Sequence, residues 1–207
     1  MITVLPGMGA NNRMYSGAWR ELRGYDYLDW PAGIAPDSIA GLAKSIAEGM
    51  DYQPTALIGS SLGGMVALEL ASLMKVQDVA LLGSALSSNE INPLLRLLGP
   101  IAEVSPLSLC QVLAGKSPSL LSRMYSEQDP EFIRSMIRSA LHWSYKGGAK
   151  VYRVHGRHDL VIQCLKADVW LEAGHLIAMT NPEECITSIQ RWRIEQGIEP
   201  DSLMGNR

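Results

Sequence analysis

Apolar residues come in short blocks along this chain, and the blocks alternate between two rhythms. Ile2 to Leu5, Tyr25 to Trp30, Thr55 to Ile58, Val79 to Leu82, Lys150 to His155 and Asp168 to Leu171 are brief β-rich runs. Several are apolar without in-out alternation, as expected of strands covered by helices on both faces. Between them, Ile39, Leu42, Ala43, Ile46 and Met50 recur at helical spacing after the turn-prone Pro36-Asp37-Ser38, which predicts a helix lying on the sheet. Near the end, Asn181 stands as a cap residue, Pro182 at the first helical position, and Glu183 and Glu184 at the positive end of the helix dipole. Cys185, Ile189 and Trp192 then form that helix's expected buried face. The rhythm predicts an α/β chain with a mostly parallel central sheet flanked by helices.

From Ser87 to Tyr145 the strand rhythm stops. Leucine-rich segments broken by Pro93, Pro100, Pro106, Pro118 and Pro130 predict three or four short helices inserted into the α/β pattern. The expected organisation is one domain over residues 1–207, with a helical insertion at about 87–148 and a loosely held polar tail from Gly197 to Arg207.

Composition narrows the classes. With 207 residues, 47% hydrophobic and 19% charged, the chain can bury a core and is unlike a disordered one. A net charge of -3 and no stripe of Lys and Arg argue against nucleic-acid or anionic-membrane partners. No apolar run approaches the roughly 18 residues of a membrane span. The opening Met1 to Gly7 has no basic region leading into a signal-type apolar stretch, so a soluble cytoplasmic protein is expected. Cys110, Cys164 and Cys185 are odd in number and scattered, which fits buried reduced thiols better than a disulfide framework or a metal site.

The chemistry centres on Thr55 to Gly64, where an apolar strand runs into Gly59-Ser60-Ser61-Leu62-Gly63 and a helical run continues from Met65 to Met74. A G-x-S-x-G motif in strand-to-helix context lifts the serine hydroxyl above a sheet on strained backbone, with glycines where side chains would collide. Ser61 is therefore the candidate nucleophile, with Ser60 as its weaker rival, and the Leu62 N–H is an oxyanion donor at the start of the helix. The missing Gly-Lys-Ser/Thr ending argues against a phosphate cradle.

A serine hydroxyl needs a base, and the base needs a carboxylate to hold its tautomer. Val154 to Asp159 follows one strand and ends in an acid; Glu172-Ala173-Gly174-His175 follows the next and ends in a histidine. Asp159 and His175 are the candidate acid and base, with Asp168 and Glu172 as rival acids. His155 and His158 are read as shaping the Asp159 loop, and His142 as structural. The glycines of Leu5 to Ala10 let the backbone turn close to the site, where the Met8 N–H is the second candidate oxyanion donor.

Together, Pro6-Gly7-Met8-Gly9, the Asp29-Trp30-Pro31-Ala32-Gly33 turn, Gly59 to Gly63, His155 to Asp159 and Gly174-His175 resemble the α/β-hydrolase superfamily over nearly the whole chain. The resemblance implies a small serine esterase-like member, with a helical cap between the family's sixth and seventh strands at about Ser87 to Gly148. It also implies that the chain starts at the family's third strand. Leu5 and Pro6 stand where many relatives have His-Gly, so no side chain there is assigned a role. Only 16 positions separate Asp159 from His175, so a short irregular connection is expected where the family carries a helix.

The expected reaction is hydrolysis of a small-molecule ester or thioester through an acyl-enzyme, needing neither metal nor organic cofactor. Leu94, Leu95, Leu97, Leu98, Ile101, Leu107, Leu109, Val112, Leu113, Leu120, Leu121 and Met124 could roof a pocket for an apolar acyl or aromatic group, or simply pack the insertion onto the body. The same triad also permits carbon–carbon hydrolysis or elimination, and the fold permits a ligand-binding module without turnover.

Overall fold

A computed structural model of the chain describes residues 1–33, 36–97 and 119–197. Among these, β1 (Ile2–Leu5), β2 (Tyr25–Tyr27), β3 (Ala56–Ser60), β4 (Asp78–Leu82), β5 (Lys150–Gly156) and β6 (Val169–Leu171) form one sheet. The spatial order is β2-β1-β3-β4-β5-β6, and every neighbouring pair is parallel. The helices are α1 (Ile39–Gly49), α2 (Leu62–Met74), α3 (Pro93–Leu97), α4 (Ser119–Ser126), α5 (Pro130–Ala140), α6 (Ile177–Thr180) and α7 (Pro182–Glu195).

The apolar strands lack alternation because both faces of the sheet are covered. Leu5, Leu57, Val79 and Leu81 turn to one side, where they share a core with Ile39 and Leu42 of α1, Val66 and Leu68 of α2, and Phe132 of α5. The alternate residues Val4, Ile58, Ala80, Leu82 and Val154 turn to the other, toward Trp19, Ile177, Ile189 and Trp192. Strand order reverses between β1 and β3. The chain leaves β1 on one side and returns on the other, so the loops after these strands diverge into a crevice of the kind that receives ligands in open α/β sheets.

Local chemistry explains most boundaries. Ser38 caps α1 by accepting the Gly41 N–H at 3.0 Å. β2 is shorter than the expected run to Trp30: after the Leu28 N–H reaches Val4 O, Asp29 turns to Asn12 and Trp30 turns inward. β3 runs past Ile58 to Ser60, because Ser60 still pairs with Leu82. Asn181 does not cap α7 through its side chain as expected. It joins α6 directly to α7, its N–H bonded to Ile177 O, and its Nδ2 donates to Glu184 Oε1 at 3.0 Å.

Between β4 and β5 the described residues hold a 3-10 turn at Ser88–Glu90, then α3, α4 and α5. Antiparallel bridges Ser87↔Ser144 and Ile91↔Ile162 pin the roots of this segment. Residues 98–118, with Leu98, Ile101, Leu107, Leu109, Cys110, Val112 and Leu113, lie outside the described residues, as do the side chains of Leu97 and Leu121 and the tail beyond Gly197. Of the other apolar candidates, Leu94 is exposed, Leu95 and Leu120 are half-buried against the two cores, and Met124 is fully buried. Cys185 is buried but Cys164 only half so, which corrects the expectation of uniformly buried thiols.

The connection from β5 to β6 contains no helix, as its length required. It is held by the neighbouring segment instead: Gln163 N–H donates to Glu90 O and Asn92 N–H to Val161 O. No helix among the described residues is long and apolar enough to cross a membrane.

The packing of β3 against α2 depends on two glycines. A Cβ on Gly59 would lie 2.2 Å from Gly63 O, and one on Gly63 would lie 2.3 Å from Pro6 O. Both obstacles are backbone and cannot swing aside. Gly63→Ala should therefore lower stability by at least about 2 kcal/mol in urea unfolding, whereas Gly49→Ala should change it by less than about 1 kcal/mol, since nothing lies within 4 Å of a Cβ there. Equal effects of the two substitutions would contradict this account of the turn.

Candidate active site

Ser61 sits between β3 and α2 with φ 51 and ψ −119, a conformation that costs a non-glycine residue about 1–3 kcal/mol. Three hydrogen bonds hold it there. The Ser61 N–H donates to Leu82 O at 3.0 Å, while Ser61 O accepts from the Gly64 N–H at 3.0 Å and from Ser84 Oγ at 2.6 Å. Ser61 is half-buried.

The loops after β5 and β6 bring the other two candidates to it. His175 Nε2 lies 2.9 Å from Ser61 Oγ, and His175 Nδ1 lies 2.8 Å from Asp159 Oδ2. The carboxylate can only accept, so Nδ1 carries the proton, and the bare Nε2 accepts from the serine hydroxyl. Asp159 Oδ1 accepts the N–H groups of Val161 and Ile162 at 2.8 and 2.9 Å. Oδ2 also receives His155 Nε2, at 3.0 Å.

Both Asp159 and His175 are largely withdrawn from solvent, with side chains 1% and 8% exposed. Burial pushes the Asp159 carboxyl up, but the hydrogen bonds from His155 and His175, the electrostatic attraction of the His175 ring and the Ile162 N–H together hold it well below the usual carboxylate range. Asp159 is therefore ionised at neutral pH.

The turn after β1 borders Ser61. A Cβ on Gly7 would lie 3.7 Å from Ser61 Cβ, so the Gly7-Met8 backbone runs beside the nucleophile candidate. Trp30 Nε1 donates to Gly7 O at 3.2 Å, and Gly7 N–H meets Met14 Sδ at the same distance, fixing the turn from both sides. Leu62 is the first residue of α2, where a backbone N–H has no intrahelical partner.

The rivals lie elsewhere. Ser60 is buried within β3. Asp168 Oδ2 accepts the Arg153 N–H, and exposed Glu172 pairs with Arg157 and His158. His142 follows α5, far along the insertion. Sequence reasoning missed three contributors. Ser84 braces Ser61 O; Gly83, at φ 56, lets His175 O come where a Cβ would be 2.8 Å away; and Arg153, 6% exposed in β5, donates to Ser84 O and to both carboxylate oxygens of Glu90. A Gly-Ser pair ending one strand and an arginine inside another were the available signals. Among the described residues, no group of three His, Cys, Asp or Glu could hold a metal ion.

No family model matches the chain, and no curated protein sequence matches it. Solved structures do. One is N-acyl homoserine lactonase AidH complexed with N-butanoyl homoserine, at TM-score 0.74 and 16% identity over 96% of this chain and 90% of that one. An esterase from Exiguobacterium antarcticum matches at TM-score 0.70 and 17% identity, over 93% and 91% of the two chains. The enol-lactonase from Burkholderia xenovorans LB400 matches at 0.71 and 15%, over 94% and 89%. Likeness over nearly the full length of both chains at such low identity is likeness of fold.

Because the folded Asp159 carboxyl titrates below its unfolded value of about 3.9, its stabilisation is present above about pH 4 and is lost as pH falls. Asp159→Asn should cost about 3 kcal/mol in urea unfolding near neutral pH. The difference from the unmutated chain should shrink between about pH 4 and about pH 2. A gap that stays constant over that range would show that the charge is not what the four donors hold.

Proposed function

We propose that this chain, which has the α/β-hydrolase fold, is a serine hydrolase that cleaves small-molecule carboxylic esters or thioesters. Ser61 is the nucleophile, His175 the general base and acid, and Asp159 the carboxylate that keeps His175 in the working tautomer. The observation that carries the proposal is the 2.9 Å approach of Ser61 Oγ to His175 Nε2, backed by the 2.8 Å bond from Nδ1 to a buried, ionised carboxylate. Esterase and lactonase activities among the structurally similar proteins agree in reaction class.

Ser61 Oγ attacks the ester carbonyl carbon while its proton passes to His175 Nε2. Charge collects on the carbonyl oxygen, and the N–H groups of Met8 and Leu62 stabilise it from either side of the crevice. The intermediate collapses as His175 protonates the departing alcohol or thiol. A water, deprotonated by His175, then attacks the acyl-serine, and His175 returns the proton to Ser61 Oγ as the acyl–oxygen bond breaks and the acid leaves. Asp159 stays ionised throughout, and its negative charge stabilises the imidazolium formed in each half-reaction. A hydrophobic acyl or aromatic group is the substrate class this reading favours, because α4 lays the Tyr125 ring against Gly9 in the turn beside Ser61.

A panel of p-nitrophenyl esters of graded chain length, with a butyrolactone-type cyclic ester added, tests this directly. The unmutated chain should turn over at least one member, and Ser61→Ala should lower kcat by at least about 10⁴-fold. Turnover that survives in the variant would refute the role of Ser61. Tight binding of a panel member without turnover by the unmutated chain would favour a ligand-binding module.

A further inference from the structure

His155 is the next-to-last residue of β5, and its side chain is 1% exposed. Its Nε2 lies 3.0 Å from Asp159 Oδ2, the same oxygen that His175 Nδ1 meets at 2.8 Å. It also lies 3.1 Å from Ile162 O. Both partners are acceptors, so His155 Nε2 must carry a proton and donate. The ring is fixed by Trp170, which stands edge-on at 5.8 Å, and its Nδ1 is buried with no hydrogen-bond partner among the described residues. One carboxylate oxygen thus serves two imidazoles.

The geometry points to His155 as a positioning residue that sets the proton affinity of His175 by donating to the Asp159 oxygen on which His175 relies. The inference rests on the roles of Ser61, His175 and Asp159 proposed above. A second donor on Oδ2 draws negative charge away from the His175 bond, so the imidazolium formed in catalysis is less stabilised than it would be if the oxygen served His175 alone. It also fixes the carboxylate plane, whose other oxygen is held by two backbone N–H groups.

The surrounding charges leave this effect uncancelled. On β5, Arg153 shares the His155 side of the strand but is closed in a buried ion pair with Glu90. Arg157 lies against the Trp170 ring and is paired with exposed Glu172, which also meets His158. From the connection come Asp159 and the half-buried Cys164, and from the loop after β6 comes His175. Burial lowers the His155 pKa, but the Asp159 bond and the Cys164 contact outweigh it and raise the value to about 9; the Nε2–H that faces two acceptors is present whether the ring is neutral or charged.

The test uses the full chain with p-nitrophenyl acetate and compares the pH dependence of kcat/KM for the unmutated protein, His155→Phe and His155→Gln. Loss of the donor in His155→Phe should move the acid limb up by about one pH unit and lower kcat/KM near pH 6 by about tenfold. His155→Gln, which keeps a neutral N–H donor, should restore most of that shift. NMR titration of the His175 ring should move by the same amount and needs no turnover. An acid limb and a His175 titration that are both unmoved in His155→Phe would overturn the inference while leaving the hydrolase proposal standing. Activity that is indifferent to Ser61→Ala would refute the hydrolase proposal instead. Should His155→Phe not fold, nitrogen NMR of the unmutated chain decides: a protonated His155 Nε2 at neutral pH supports the inference, and a bare one overturns it.

Discussion

A carboxylate withdrawn from bulk solvent must find its stabilisation in the protein, and at Asp159 it finds four N–H groups: two from the backbone of Val161 and Ile162, two from His155 and His175. Everything chemical about the site follows from that constraint. The charge fixes which His175 nitrogen is protonated, and the tautomer in turn aims a bare Nε2 at Ser61. A neutral or differently turned Asp159 would leave the serine hydroxyl beside a nitrogen that could not take its proton.

The fold brings Asp159 and His175 together because each follows the carboxyl end of one of two adjacent parallel strands. β6 pairs only with the last three residues of β5, so the connection between them returns over a short distance and needs no helix. The backbone of the connection is satisfied by the segment after β4, through Glu90 O and Asn92 N–H. The strain at Ser61 is contained in a similar way, at and just beyond the end of β4: Leu82 O and Ser84 Oγ grip its backbone, and Arg153, itself paired with Glu90, donates to Ser84 O.

The parts legible in the sequence were those encoded locally. The Gly59 to Gly63 motif marks its own turn because backbone contacts of 2.2–2.3 Å tolerate no side chain, and the short spacing from Asp159 to His175 pointed to an irregular connection. What escaped was set by register between distant segments. Ser84 reaches Ser61 O because β4 pairs with β3 at Ser60↔Leu82, and His155 reaches Asp159 because the turn after β5 folds back. Neither pairing leaves a periodicity to read. Asn181 had the composition of a cap, but the immediate succession of α6 and α7 left its side chain a different task. The apolar residues of the insertion looked alike as a list, yet Leu94 faces solvent while Met124 is core.

Reaction with a fluorophosphonate followed by peptide mapping addresses the central claim most directly, because the reagent bonds to a serine whose proton can be taken by an adjacent base. One adduct is expected, on the peptide containing Ser61, and it should disappear when His175 is replaced by alanine. A folded chain that takes up no reagent, or that takes it up at another residue with Ser61 unmodified, would contradict the account.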